Sequence, residues 1–378
     1  MSEKILQAVS LAIQANVPTL LWGEPGIGKT RVVEALGKVL GMDPVVTLIA
    51  SIHDPTDFSG LPFFDRERGL AVYAAPDFVS PLIEAEKGIL FIDEFNTAPP
   101  AVEVACWRII LEGVVGNIAL PPEVRRVAAA NPPEIAVNGR ELSLPMSNRF
   151  VHIDFDAMET RYYIQGMVQG FKLPEIPALP TDWRERHLGE ARGLVAAFLT
   201  ARPNLLRAVP KNPPYRGWPS PRTWYDFTAP LLAACKAVSA DRDVEMLLVQ
   251  GCVGEAAAME FLTWKDNLDL PDPHVYLRKP NTPLPKRDDQ VLAVLVGVVN
   301  VAKEELSPET WGAAWQVLAR VGESKPDLAA MPATILLDTG KQYDKEYNTP
   351  AFRRAISRIA TVYRYLAEES GRGRGTDG

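Results

Sequence analysis

A glycine-rich octapeptide near the start of this 378-residue chain limits the possible folds more than any other segment. It follows an apolar run at Thr19–Trp22 and precedes a helical pattern at Thr30–Leu40. The pattern GxxxxGK[ST] in that context is typical of a phosphate-binding loop, whose backbone N–H groups surround phosphate oxygens at a helix N-terminus. The alternative is an ordinary strand–turn–helix corner that contains a lysine by chance. Such a corner would have to match every required position of GxxxxGK[ST]. The predicted nucleotide-binding residues are Gly23, Glu24, Pro25, Gly26, Ile27, Gly28, Lys29 and Thr30.

Two side chains of this loop have a predicted chemical role. Lys29 reaches the terminal phosphates of a bound nucleotide, and the Thr30 hydroxyl ligates Mg²⁺. A second acidic motif follows the apolar run Ile89–Ile92, which ends in Asp93 and Glu94. Ligands bind at the carboxyl edge of parallel sheets, so Asp93 is predicted to hold Mg²⁺ and Glu94 to polarise the attacking water as a general base. Taken alone, an acidic turn after a strand is common.

The first part of the chain alternates apolar runs with helical patterns, which predicts an α/β domain with a parallel sheet. The predicted strands are Thr19–Trp22, Val45–Ile49, Gly88–Ile92, Val127–Ala130 and Val151–Phe155. Two stretches interrupt this order. Phe58–Asp77 has no clean period, and Leu111–Leu120 contains two β-type pairs around Gly-Asn, which predicts a hairpin.

Proline density at Leu173–Asp182 indicates a boundary between a nucleotide-binding domain over residues 1–172 and a helical region over 173–378. The predicted helices beyond it are Trp183–Ala201, Pro221–Ser239, Asp241–Trp264 and Gln290–Leu306. The Gly/Arg-rich tail, Gly371–Gly378, is predicted to be disordered.

Composition narrows the function classes. The net charge is −7, so no overall basic field attracts nucleic acid or membranes. The longest apolar run, near Val291–Ala302, is too short to span a membrane, and three scattered cysteines indicate neither disulfides nor a thiolate zinc site. We therefore expect a soluble cytoplasmic protein. Arg125 and Arg126 are expected to be solvated charges.

Together these motifs resemble the AAA+ ATPases and, within them, the MoxR family. GEPGIGKT is similar to the Walker A motif, and ILFIDEFN is similar to Walker B. The resemblance also covers Asn131 as sensor 1, Asn148-Arg149-Phe150 as an arginine-finger motif, and Ser220-Pro221-Arg222-Thr223 as sensor 2. The stretches at about 58–77 and 111–120 correspond to the helix-2 insert and the pre-sensor hairpin of this clade.

The resemblance assigns a role to each of these polar residues. Asn131 would orient the attacking water or contact the γ-phosphate, Arg149 would act in trans on the nucleotide of the next subunit, and Arg222 would point from the lid towards the nucleotide. The structural alternatives are an Asn-Pro turn for Asn131, a surface ion pair for Arg149, and a helix cap with a solvated arginine for Arg222. The chain departs from the family pattern at Thr97, where an arginine is usual, and at Asn148, where an aspartate is common.

The resemblance implies an ATP hydrolase that binds MgATP between subunits of a homo-oligomeric ring, a hexamer, and remodels a client protein in a chaperone-like manner. It also implies a partner with a von Willebrand factor A domain. A nucleic-acid motor or restriction-type NTPase is one alternative, which the acidic charge balance disfavours. A nucleotide-gated scaffold with little turnover is another, which an intact Glu94 disfavours.

Overall fold

The computed structural model describes residues 3–136 and 139–340, and it contains a five-stranded sheet in which every strand is parallel. The strands of the described chain are β1 (Thr19–Trp22), β2 (Val45–Ile49), β3 (Leu61–Asp65), β4 (Leu70–Ala74), β5 (Lys87–Asp93), β6 (Val114–Val115), β7 (Ile118–Ala119), β8 (Glu123–Ala130) and β9 (Val151–Asp154). The sheet order is β2-β5-β8-β1-β9. The five predicted strands all belong to this sheet, which confirms the α/β prediction.

Strand composition explains the parallel arrangement. The interior strands β5 and β1 are almost continuously apolar and buried, as strands covered by helices on both faces should be. β1 lies between β8 and β9, so its carboxyl end meets Ala130 and Asp154. The loops that follow these three strands therefore share one edge of the sheet.

Helices make up most of the remaining structure. They are α1 (Glu3–Gln14), α2 (Lys29–Val39), α3 (Pro55–Ser59), α4 (Ser80–Ala85), α5 (Pro100–Glu112), α6 (Leu144–Ser147), α7 (Thr160–Gln169), α8 (Trp183–Ala201), α9 (Ala229–Ala237), α10 (Arg242–Val253), α11 (Glu255–Asp266), α12 (Pro273–Arg278), α13 (Asp288–Glu304), α14 (Pro308–Ser324) and α15 (Pro326–Gly340). Short 3₁₀ turns lie at Ala50–Ile52, Asp77–Val79, Phe95–Thr97 and Pro203–Leu206, and one π-helical turn lies at Thr223–Thr228. Within the described residues no helix is both long and apolar enough to span a membrane.

The chain forms two compact units. The first comprises Met1–Trp183 and Leu205–Glu260, and the second comprises Arg184–Asn204 and Phe261–Gly378. Residues on both sides of the predicted boundary at 172 thus belong to the first unit. The predicted disordered tail lies outside the described residues.

Each unit has its own apolar core. In the first unit the core joins the sheet to α5, through residues such as Leu90, Ile92 and Cys106. In the second unit α12 to α15 pack around Trp311 and Trp315, which are almost completely buried. Helices α14 and α15 were not predicted, although α14 begins with a capping box at Ser307.

The two interruptions of the α/β order are both antiparallel hairpins. The predicted hairpin in Leu111–Leu120 is confirmed as β6–β7, which turns at Gly116-Asn117. Phe58–Asp77 contains the longer hairpin β3–β4, which the sequence pattern did not indicate. More than half of the side chain is exposed at Leu61, Phe63 and Phe64. Apolar residues therefore lie on both faces of this hairpin, and the alternation of apolar and polar residues that predicts a half-buried strand is absent.

Two predictions were wrong. The single helix over Asp241–Trp264 is divided at Gly254, whose φ of 80° ends α10 and lets α11 start in a new direction. Arg125 and Arg126 are not fully solvated surface charges, because both lie on the interior strand β8, where Arg125 is buried and Arg126 is half-buried. Arg125 bonds to Pro122 O and Glu123, and Arg126 bonds to Leu111 O and Asn16.

Candidate nucleotide-binding site

The glycine-rich loop connects β1 directly to α2. Gly26 and Gly28 have φ values of 78° and 98°, a left-handed conformation that glycine adopts without steric cost. Gly23 is required for a different reason, since a Cβ there would lie 2.5 Å from the Phe155 carbonyl oxygen. The loop therefore has the backbone that presents successive N–H groups towards an anion at the start of α2.

Lys29 is the cation of this loop, and it is only 6% exposed. Its ammonium group donates to Gly23 O at 2.6 Å, to Glu24 O at 2.9 Å and to Asn131 Oδ1 at 2.8 Å. Burial lowers the pKa of Lys29, and the negative charges of Asp93 and Glu94 oppose that shift. The structure thus brings the predicted sensor residue Asn131 into direct contact with the loop lysine.

Thr30 and Asp93 lie together at the first turn of α2. The Thr30 hydroxyl donates to Asp93 Oδ2 at 2.9 Å, and Asp93 Oδ1 accepts from the Glu94 N–H at 2.8 Å. One hydroxyl and one carboxylate are the oxygen donors that Mg²⁺ takes from proteins when phosphates and water supply its other ligands. The described residues contain no cluster of three or more His, Cys, Asp or Glu side chains suited to a metal. A site completed by nucleotide phosphates fits these donors.

Glu94 has a strained backbone and a side chain that accepts a hydrogen bond. Its φ is 54°, which costs a non-glycine residue free energy and is typical of functional sites. Ser51, from the 3₁₀ turn after β2, donates to Glu94 Oε2 at 2.5 Å. Ser51 was not singled out in the sequence, because its contact depends on β2 pairing with β5.

Asn96 is a second residue that sequence reasoning missed. It is buried, its amide donates to Asn131 O at 2.8 Å, and its Oδ1 accepts from the Asn131 N–H at 3.1 Å. These reciprocal bonds hold the backbone of Asn131 while its side chain contacts Lys29. The signal was present as the last letter of ILFIDEFN, although only the pairing of β5 with β8 gives it a partner.

Arg149 and Arg222 form a second group of charges. The Arg149 guanidinium lies 4.5 Å from the centre of the Trp107 ring and donates to Pro145 O. The pKa of Arg149 is lowered by burial and by the like charge of Arg222. The Arg222 guanidinium is therefore close enough for its charge to act on Arg149. The charges that act on Lys29 are instead those of Asp93 and Glu94.

Buried polar contacts join the segments that precede the two arginines. Asn148 donates to Trp218 O at 3.1 Å and accepts from the Ser220 hydroxyl at 2.8 Å. Trp218 Nε1 donates to Ser147 Oγ at 3.2 Å. The predicted cap is also present, since the Thr223 N–H donates to Ser220 Oγ at 3.2 Å.

His152 on β9 connects this group to the end of β1. Trp22 Nε1 donates to His152 Nδ1 at 2.9 Å, and His152 Nε2 lies 2.7 Å from Ser147 O. An indole nitrogen only donates and a carbonyl only accepts, so His152 is neutral with its proton on Nε2. Burial lowers the pKa of His152 to about 4.

Comparison with known proteins agrees with this geometry. Residues 18–150 match the AAA domain (dynein-related subfamily). The DNA-binding transcriptional regulator NtrC of Bradyrhizobium sp. is 29% identical over 136 residues, which are 34% of this chain and 28% of NtrC. The Holliday junction branch migration complex subunit RuvB of Streptococcus thermophilus is 24% identical over 172 residues, which are 45% of this chain and 44% of RuvB. The chain thus spans less than half the length of either relative.

A solved structure is similar in part. It is a crystal structure of an ATPase candidate from Cytophaga hutchinsonii ATCC 33406, with a TM-score of 0.47 and 16% identity over 68% of this chain and 88% of that one. The assignment therefore depends on the AAA sequence match, the parallel sheet and the loop geometry. Residues 18–150 of this chain form an AAA domain, within an AAA+ α/β fold that is followed by a helical region.

Proposed function

We propose that this protein hydrolyses MgATP and uses the reaction to remodel a client protein. The observation that carries the proposal is the meeting of Lys29, Thr30 and Asp93 at the carboxyl edge of one parallel sheet, with Glu94 beside them. In this proposal residues 23–30 hold the phosphates and Lys29 neutralises their charge. Thr30 and Asp93 hold Mg²⁺, which supplies charge stabilisation to the transferred phosphoryl group.

Glu94 is the proposed general base. A carboxylate in this position accepts a proton from water, and the bond from Ser51 orients it. Asn131 would hold the attacking water or the terminal phosphate, since its amide already lies against Lys29. We propose that Arg149 completes the site in trans, in a homo-oligomeric ring of six copies. Its guanidinium is a fixed fork of donors suited to phosphoryl charge.

The finer assignment to the MoxR family is also proposed. It is supported by the order of motifs from Walker A to Arg222 and by the two hairpins, β3–β4 and β6–β7, at the places of the clade's inserts. With it come the proposals of a partner with a von Willebrand factor A domain and of a cytoplasmic location. The buried free cysteines Cys106, Cys235 and Cys252 are compatible with a reducing compartment.

ATP turnover per subunit, measured against protein concentration, tests the central proposal. We expect specific activity to rise with concentration, because a neighbour must supply Arg149. The variants Glu94→Gln and Arg149→Ala should both lose turnover, while Glu94→Gln keeps nucleotide binding. Activity that is independent of concentration and survives Arg149→Ala would contradict the shared site.

Two additions to the same assay separate the proposed function from its alternatives. Stimulation by double-stranded DNA would favour a nucleic-acid motor, whereas stimulation by a von Willebrand factor A domain protein would favour the remodelling function. Arg125 is buried and Arg126 is half-buried with its own hydrogen-bond partners, so the pair forms no exposed basic surface and we expect no effect of DNA. Negligible turnover under all three conditions would favour a nucleotide-gated scaffold.

A further inference from the structure

The segments that carry the two arginines of the proposed function are joined by one polar clamp. The clamp consists of Ser147, Asn148, Trp218 and Ser220. Ser147 and Asn148 immediately precede Arg149, and Ser220 is two residues before Arg222. Three hydrogen bonds of 2.8 to 3.2 Å cross between the two segments. The start of one arginine segment is therefore attached to the start of the other.

Asn148 is the centre of this clamp, and its chemistry is specific. It is 4% exposed, its Nδ2 donates to the carbonyl of Trp218, and its Oδ1 accepts from Ser220. An aspartate would place a carboxylate oxygen against the Trp218 carbonyl with no proton between the two oxygens, and the Thr223 hydroxyl would be the remaining donor to that carbonyl. This position therefore needs a side chain that donates at one end and accepts at the other.

The clamp maintains an arrangement that electrostatics alone opposes. Burial and the like charge of Arg222 lower the pKa of Arg149, and the buried Arg149 Nε has no hydrogen-bond partner among the described residues. The Trp107 ring holds the Arg149 guanidinium from one side. Two neighbouring guanidinium groups suit an anion that accepts several hydrogen bonds, and a phosphate has that chemistry.

We propose that Asn148 is a positioning residue that, through Ser220, presents Arg149 and Arg222 as one pair to a single phosphate group. This inference rests on the proposed function, because the phosphate is that of the nucleotide bound by a neighbouring copy. The sequence expectation for Arg222 was only that it points from the lid towards the nucleotide, and it did not include a pairing with Arg149.

Steady-state ATP turnover of clamp variants tests the proposal. We expect Asn148→Ala to lower kcat by about 10- to 100-fold, the scale of a displacement near 1 Å, with a nucleotide KM within about twofold of the parent. Asn148→Asp should fall in the same range. Ser220→Ala should also lose turnover, whereas Ser220→Thr keeps the hydroxyl and should restore most of it. Asn300→Ala is the control, since Asn300 is a buried asparagine of the second unit and should leave kcat unchanged.

A comparison of combined variants identifies the route of the effect. If Asn148 acts through the two arginines, adding Asn148→Ala to the Arg149→Ala/Arg222→Ala double variant should lower its residual turnover no further. A further drop in that triple variant would overturn the positioning role, because it would show an independent structural effect. Parent-like kcat in both Asn148→Ala and Ser220→Ala would overturn it as well. If Asn148→Ala does not fold, the turnover of Asn148→Asp, Ser220→Ala and Ser220→Thr tests the same positioning role.

Mixing variants tests whether the arginines act as a pair on the neighbour. Lys29→Met subunits cannot bind nucleotide but supply intact arginines, so they should restore turnover when mixed with either Arg149→Ala or Arg222→Ala subunits. Rescue of Arg149→Ala without rescue of Arg222→Ala would overturn the pair and leave the proposed function standing. Rescue of neither would contradict the shared site itself. Lys29→Met subunits that also carry Asn148→Ala should rescue neither variant.

Discussion

Protonation of His152 should destabilise this protein at mildly acidic pH. The imidazole is buried between Trp22 and Ser147, with Nδ1 accepting from the indole and Nε2 donating to the carbonyl. A second proton on Nδ1 would face the indole N–H, so the charged form loses one hydrogen bond and gains none. The nearby charge of Arg216, whose guanidinium lies 3.4 Å from the centre of the Trp22 ring, opposes it further.

The size of the effect follows from the pKa values. The pKa of His152 falls from 6.5 in the unfolded chain to about 4 in the folded one. The unfolded chain therefore binds the proton first, and the free energy of unfolding decreases as the pH falls through the interval between the two values. Since each pH unit in that interval corresponds to about 1.4 kcal/mol, the contribution lost between pH 7.5 and pH 4.5 is about 2–3 kcal/mol.

Denaturant unfolding of the parent and of His152→Gln at several pH values isolates this contribution. Glutamine can still donate to Ser147 O but takes up no proton in this range. The variant should lose about 1–3 kcal/mol at pH 7.5, because Trp22 Nε1 is left without its acceptor. Between pH 7.5 and pH 4.5 the free energy of unfolding of the variant should fall by about 2–3 kcal/mol less than that of the parent. His274→Gln, at a histidine whose side chain is 43% exposed, is the control. Parallel pH profiles for the parent and His152→Gln would refute the buried neutral histidine.

Three further outcomes are expected. Asn96→Ala should lower the free energy of unfolding by about 1–3 kcal/mol and slow ATP turnover, because the Asn131 N–H and carbonyl lose their partners. Thermal melting measures the first effect and an ATPase assay the second. An unchanged melting temperature would contradict the role of Asn96 in holding Asn131. Thr30→Ala should raise the Mg²⁺ concentration for half-maximal turnover by at least about tenfold, as a metal titration would show, and an unchanged requirement would exclude its hydroxyl as a ligand. Gly251→Ala should lower the free energy of unfolding by about 1–3 kcal/mol in denaturant unfolding, because the alanine Cβ would lie 2.3 Å from His152 O. This loss is expected although alanine favours helices. A stabilised variant would show that α10 and β9 can move apart at little cost.

Of the two hairpin inserts, the sequence predicted one and not the other. The Gly-Asn turn of β6–β7 is a local signal, since its conformation depends on two residues, and that hairpin was predicted. The β3–β4 hairpin has apolar residues on both faces and no such turn pair, so neither period nor turn chemistry identified it. Arg125 and Arg126 were misassigned for a related reason, since a charge on an interior strand is satisfied by partners distant in sequence, such as Asn16.

The elements that the sequence predicts correctly are those with local causes. Glycine, apolar periodicity and capping within a few residues account for the phosphate loop, the strand before it, the acidic end of β5 and the order of strands and helices. Which polar groups meet depends instead on the tertiary fold. Contacts such as Lys29 with Asn131, Ser51 with Glu94 and Asn148 with Ser220 span 102, 43 and 72 residues. Such pairs depend on strand order and on the packing of the segment that carries Arg222, which no local pattern encodes.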